Sequence, residues 1–361
     1  KNAKRNSWKT DKKGESWVAD VQQQFREFHE AIKLDDENET LREKREIIVS
    51  KLKEKLGDDY PSFKDIVQGS YAMSTGIKPL NGEYDIDVGI WFDVDKDDYE
   101  DPVELKEWIA DALKSHTKTP PQIKDPCVKI TYQQGGEPAF HVDLPVYAAK
   151  NKDGKLYLAR GKKYSLPENR RWEASDPRGL IDLVKYHFDD QQDRNQFRRV
   201  IRALKRWAEV QFEGEGHGKP TGVALTVCAL NWMQPSYIED SFSHLRRYQD
   251  LDAVLNLVTS MLNNFQYTWH DGELAQRLIV YAPVEPYDDL FKKMTNNQME
   301  NFRTKLLALQ EALETAKEDA DPTSACETLR EQFGDDFPVP PKDQTGQRRG
   351  KAITTHSESA R

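Results

Sequence analysis

The residues of this chain best suited to chemistry are two aspartates separated by a single isoleucine. In Tyr84-Asp85-Ile86-Asp87-Val88-Gly89-Ile90-Trp91-Phe92, Asp85 and Asp87 fall on one side, while Ile86, Val88, Ile90 and Phe92 fall on the other. That alternation is the period of a half-buried β-strand. Aspartate is depleted in strands and adjacent like charges repel, so ordinary solvent-facing positions here would sooner hold Thr or Lys. Two parallel carboxylates suit a hard divalent cation such as Mg²⁺, which takes one or two carboxylates and completes its octahedron with water and substrate phosphate.

Upstream, Gly69-Ser70 follows the apolar pair Ile66-Val67, which predicts a sharp turn after a strand. Glycine lets a phosphate approach the backbone, and the Ser70 hydroxyl adds a donor beside exposed N–H groups. A plain turn is the competing reading of that dipeptide. Downstream, Phe140-His141-Val142-Asp143-Leu144-Pro145-Val146 alternates again and leaves His141 and Asp143 together. If that strand lies beside the first, Asp143 joins Asp85 and Asp87. Three convergent carboxylates can hold two metal ions, the arrangement that stabilises both the attacking and the leaving oxygen of an in-line phosphoryl displacement.

Helices and strands must bring these groups together. Val21, Phe25, Phe28 and Ile32 repeat at helical spacing, as do Leu41, Ile48, Leu52 and Leu56 up to Gly57. The acidic run 93–98 lacks the glycine and distal glutamate of a calcium loop and reads as a solvated turn. Asp101-Pro102 caps a helix with an apolar stripe from Leu105 to Leu113, and residues 127–132 and 139–147 alternate as strands. From Asp176-Pro177 the pattern becomes nearly continuous helix, including a stripe from Leu245 through Leu251 to Leu262. The stretch from Val223 to Met233 is apolar all round and is expected to be a buried helix. The expected division is a flexible arm over 1–19, a catalytic core with its N-terminal helix over 20–165, a helical lobe over 166–333 and a flexible tail over 334–361.

Composition narrows the function. The 361 residues carry 62 acidic and 53 basic side chains, for a net charge of -9, which weighs against a long nucleic acid as ligand. No apolar run is long enough to span a membrane and the first twenty positions show no signal-peptide core, so a cytoplasmic protein is expected. The three cysteines show no Cys-x-x-Cys spacing, so neither a disulfide framework nor a zinc site is expected.

Gly69-Ser70, Asp85-Ile86-Asp87 and Asp143, in this order, resemble the active-site signature of the polymerase-β-like nucleotidyltransferases. Three later segments resemble the branch that holds oligoadenylate synthases, cyclic GMP-AMP synthase and the bacterial cGAS/DncV-like nucleotidyltransferases (CD-NTases). They are Arg202-Ala203-Leu204-Lys205-Arg206-Trp207, Lys219-Pro220-Thr221-Gly222, and the proline-containing loop from Ala282 to Asp289. The resemblance implies an α/β (α+β) fold of two lobes, a mixed-sheet catalytic lobe and a helical C-terminal lobe. It implies that Asp85 and Asp87 bridge two Mg²⁺ ions, with Mn²⁺ as an alternative, and that Asp143 binds the second ion and serves as base. Gly69, Ser70, Lys205 and Thr221 would then serve the nucleotide phosphates, and Tyr281 or Tyr287 could stack on a base.

The same resemblance implies that ATP and other ribonucleoside triphosphates are joined into a cyclic di- or trinucleotide messenger, with pyrophosphate released, in bacterial anti-phage signalling. A regulatory protein partner could use the C-terminal tail. Two rival readings stand beside it: a synthase of linear oligonucleotides or RNA-directed transferase, and a nucleotide-binding signalling module without turnover. The three intact carboxylates disfavour the last, because an idle fold need not keep three costly like charges together.

Overall fold

The computed structural model describes residues 19–34, 39–134, 137–214 and 216–342. Eight strands form one mixed sheet: β1 (Phe63–Val67), β2 (Tyr84–Phe92), β3 (Gln122–Ile123), β4 (Val128–Gln134), β5 (Glu137–Leu144), β6 (Val146–Ala148), β7 (Tyr157–Arg160) and β8 (Arg171–Ala174). The strand order is β3-β4-β5-β2-β6-β7-β8, with β1 antiparallel to β2. β5 and β6 both run parallel to β2, pairing Asp87 with Asp143 and Ile90 with Val146. They are one strand interrupted at Pro145, which has no N–H to give; its carbonyl instead accepts the Ile90 amide at 2.8 Å.

The alternation of β2 works out as its sequence demands. Ile86, Val88, Ile90 and Phe92 are buried with Val128, Ile130, Val142 and Leu144 in one apolar cluster. Two helices close that cluster, α1 (Gln22–Ile32) not among them: α2 (Glu39–Leu56) supplies Ile48, Leu52 and Leu56, and the helix over Val103–Ala112 supplies Leu105 and Ile109. The opposite face of β2 is left to the carboxylates.

A short α3 (Gly69–Ala72) lies between β1 and β2, and α4 is the helix Val103–Ala112. The helical part contains α5 (Pro177–Lys185), α6 (Gln191–Gln211), α7 (Gly222–Trp232), α8 (Asp250–Asn263), α9 (Asn296–Glu318) and α10 (Pro322–Phe333). These enclose a second apolar cluster around Trp207, Leu225, Val254, Phe302 and Leu329. α7 is buried over Ala224–Ala229, as its uniformly apolar sequence requires. α1 packs its Phe25 and Phe28 here, against Phe333 and Phe337. No helix of the described residues is long and apolar enough to cross a membrane.

Two sequence expectations are corrected. Phe337 is fully buried, so the packed body continues past residue 334, where the partner-binding tail was expected to begin; its residues 343–361 lie outside the described residues, as do residues 1–18 of the arm. The region after residue 176 is also not continuous helix. Two hairpins interrupt it, β9 (Tyr237–Glu239) with β10 (Arg246–Tyr248), and β11 (Phe265–His270) with β12 (Glu273–Leu278). Of the expected stripe, Leu245 therefore precedes a strand and Tyr248 lies in it, and α8 starts at Asp250. The second hairpin turns at Asp271-Gly272, both at positive φ (52° and 80°), the left-handed pair that a two-residue hairpin turn needs.

Candidate active site

Register puts the three aspartates side by side. Asp87 on β2 faces Asp143 on the parallel β5, and Asp85 lies two residues earlier on the same face. The turn at Gly69 comes up beneath them. Gly69 has φ +65°, and a β-carbon there would stand 2.0 Å from Asp87 Oδ2. Only glycine meets both demands, the left-handed backbone and the close approach. The Gln68 amide donates to the Asp87 carbonyl at 2.9 Å, and the buried Gln68 side chain accepts from Tyr147 Oη at 3.0 Å, so the turn is fixed to the sheet at two points. Ser70 opens onto a cavity of about 290 Å³ that is also lined by Tyr84, Asp85, Lys205, Lys219 and Gly222.

Electrostatically the cluster is unfinished. Burial, and then the charges of Asp143 and Asp85, push the Asp87 carboxyl up to about 7. Burial also raises Asp143, whose Oδ1 is buried without a hydrogen-bond partner. Buried carboxylates are ordinarily hydrogen-bonded or paired, so an orphaned oxygen beside two more carboxylates marks a place for a cation. Among the described residues no group of three or more His, Cys, Asp or Glu side chains is arranged to hold a metal ion by itself. The donor set fits Mg²⁺ in its open mode, in which carboxylates supply part of the shell and water and phosphate the rest.

Lys205 lies on α6, across the cavity from Asp85. It is buried, its Nζ donates to the carbonyl and the hydroxyl of Thr75 at 3.0 Å each, and burial pushes its ammonium down to about 7. Its neighbours act in the same way: Arg202 donates to the carbonyls of Gly76 and Ser74 (3.0 and 2.8 Å), and Arg206 to that of Lys78 (2.7 Å). One face of α6 thus clamps the loop that links the Gly-Ser turn to β2, a role that residue types alone did not reveal. Thr221 is not among the cavity-lining residues, and its hydroxyl caps α7 by accepting the Ala224 amide at 3.2 Å. Its neighbours Lys219, Pro220 and Gly222 do line the cavity. Tyr281 and Tyr287 are both more than half exposed, and neither lines it.

His141 hydrogen-bonds across β4 to Thr131 Oγ1 (3.2 Å) and to Glu83 Oε2 (3.3 Å), so its ring is taken up within the sheet. Sequence reasoning also passed over Lys129. The alternation Val128-Lys129-Ile130 was visible, and it places a cation on the carboxylate face.

A larger cavity of about 1220 Å³ lies between α1, α6 and β10, lined by Arg26, Lys33, Arg199, Arg202 and Arg246 among others. Several of these cations are committed to the fold. Arg199 forms a two-pronged pair with the buried Asp250 (2.6 and 2.9 Å), and Lys33 pairs with Glu30 at 2.6 Å. It contains none of the three aspartates.

Comparison with known proteins agrees with this geometry. Residues 62–147 match the family model described as cyclic GMP-AMP synthase DncV-like, nucleotidyltransferase domain. A cyclic GMP-AMP synthase of Escherichia albertii is 29% identical over 210 residues, which are 55% of this chain and 44% of that protein. The chain's match thus spans less than half the length of that relative. Among solved structures, the Bradyrhizobium diazoefficiens CD-NTase CdnG, in complex with GTP, superposes with a TM-score of 0.63 at 16% identity over 86% of this chain and 95% of that one. CdnC of E. coli MS115-1, solved with ATP, gives 0.60 at 17% identity over 88% and 98%. The resemblance read from the motifs is borne out: residues 62–147 match the DncV-like nucleotidyltransferase domain model, and the chain has the fold of the solved bacterial CD-NTases.

Proposed function

We propose that the protein is a metal-dependent nucleotidyltransferase that joins ribonucleoside triphosphates into a cyclic oligonucleotide. The observation that carries this reading is the row of Asp85, Asp87 and Asp143 on adjacent parallel strands, with a buried unpartnered oxygen at Asp143 and a glycine turn at contact distance. Asp85, Asp87 and Asp143 would hold Mg²⁺, which when bound supplies charge neutralisation to the triphosphate. Gly69 and Ser70 bring backbone and hydroxyl to the phosphates. Lys205 has a place beside them once its hydrogen bonds to Thr75 are exchanged for phosphate oxygens. Asp143, whose Oδ1 has no hydrogen-bond partner, would take the proton of the attacking ribose hydroxyl.

The substrate class is supported by the domain match and by structural neighbours solved with ATP and GTP. Ring closure and the anti-phage role are what the resemblance implies, and the first of them is open to direct test. The test is incubation with Mg²⁺ and all four ribonucleoside triphosphates, phosphatase treatment and mass spectrometry. A phosphatase-resistant cyclic oligonucleotide, absent with the double variant Asp85→Asn, Asp87→Asn, is expected. Linear products alone would overturn ring closure and favour the linear-synthase reading.

A further inference from the structure

The carboxylate row has a fourth member of opposite sign. Lys129 on β4 is directly opposite Asp143 in the antiparallel β4–β5 register, and Asp143 is in turn opposite Asp87. Lys129, Asp143 and Asp87 thus form a line across three neighbouring strands. The flanking Val128 and Ile130 are fully buried on the other face, which turns Lys129 toward the carboxylates. Its Nζ is 3.7 Å from Asp85 Oδ1, and its side chain is only 25% exposed, while that of Asp85 is 62% exposed. A lysine this far withdrawn near the start of β4 forfeits part of its hydration and rotamer freedom, a cost that the charge of the cluster offsets.

We propose that Lys129 is the resident counter-ion of the site: it holds the carboxylates together while no metal is bound, and it makes metal loading depend on the arrival of the nucleotide. The proposal rests on the reading of Asp85, Asp87 and Asp143 as the metal site. The reason is linkage. An ammonium and a divalent cation are attracted to the same oxygens and repel one another, so whatever Lys129 contributes to the metal-free cluster is subtracted from metal affinity. A triphosphate changes the balance by bringing further negative charge, which accommodates both cations. Lys129 acts through the aspartates and is therefore a positioning residue.

The test uses the full-length protein and Mn²⁺, whose free-ion signal in electron paramagnetic resonance reports binding without turnover. Mn²⁺ affinity is measured for wild type, Lys129→Met, Lys129→Arg and Asp87→Asn, each with and without a non-hydrolysable ATP analogue. Without nucleotide, Lys129→Met is expected to bind Mn²⁺ about five- to tenfold more tightly than wild type, at the low end of coupling between sites. Lys129→Arg, which keeps the charge, should stay near wild type, and the analogue should shrink the difference. Melting temperatures add a second reading: Lys129→Met should melt below wild type without metal and recover with Mn²⁺. A stem that merely packs would lower the melt equally in both conditions, which would overturn the proposal. So would unchanged or weaker Mn²⁺ binding by folded Lys129→Met. If Lys129→Met does not fold, Lys129→Gln takes its place under the same criteria. If Asp87→Asn binds Mn²⁺ as wild type does, the metal-site reading itself fails, a result separable from failure at Lys129.

Discussion

Asp250 is a buried carboxylate and Asp87 a half-buried one, and their surroundings differ in kind. Asp250 is 1% exposed and is satisfied on every side, by Arg199 in two-pronged fashion, by Gln196 at 3.1 Å and by Gln22 at 2.9 Å. Asp87 has two further carboxylates beside it and a titration pushed up to about 7 by burial and their charge. The first arrangement joins α1, α6 and α8 and stabilises the native state as it stands. The second, on the proposed reading, costs stability as it stands even with Lys129 beside it, and becomes favourable when a divalent cation binds. Satisfied buried charge marks architecture, and unsatisfied buried charge marks a site.

Substitution should separate the two regions. The largest effect is expected at the site: Asp85→Asn or Asp143→Asn should reduce nucleotidyl transfer by about 10³-fold or more while the circular dichroism spectrum stays native. Steady-state product formation checks this, and retention of even a tenth of the activity would break the assignment. At the architectural carboxylate the pattern reverses. Asp250→Ala leaves the half-buried Arg199 without its carboxylate and should destabilise by about 3 kcal/mol in urea titration, the low end for a broken buried pair, with turnover per folded molecule little changed.

Gly69→Ala lies between these extremes. It forces a left-handed backbone and a contact with Asp87, and should cost about 10²-fold in activity through misplacement of the turn. The smallest effect concerns His29, which burial and then the nearby Arg202 and Arg199 push down to about 4 from 6.5. Between those values the unfolded chain takes up a proton that the native state refuses, so stability is lost as pH falls through that window. His29→Leu should flatten that part of the stability profile measured by urea midpoints.

Much of the site was legible in the sequence because strand periodicity is local. Alternation in residues 84–92 and 140–146 was enough to set Asp85 and Asp87 on one face of their strand and Asp143 on the polar face of its own, and Gly69 was recognisable as a turn. Which strands are neighbours is a long-range fact, and only the β2–β5 register brings Asp143 beside Asp87. The α6 clamp was hidden for the same reason, since nothing in Arg202-Ala203-Leu204-Lys205-Arg206 says that three cations will bond the carbonyls of residues 74–78. The Asp271-Gly272 hairpin was legible and was passed over, because the helical pattern on either side dominated the reading. Phe337 shows the reverse error: a proline-rich, polar segment reads as tail, yet its one large apolar side chain seats it in the core.

The contrast between the two carboxylates is tested most directly by the melting temperature of Asp87→Asn against wild type, with and without Mg²⁺ and a non-hydrolysable ATP analogue. A carboxyl raised to about 7 binds more protons in the native than in the unfolded state between about pH 4 and 7, so the native state loses stability as pH rises through that range. At pH 8 and without ligand, Asp87→Asn should therefore melt at or above wild type. With both ligands present, wild type should gain several degrees and the variant little. A variant that melts well below wild type without ligand would contradict the reading, because Asp87 would then be an architectural carboxylate like Asp250.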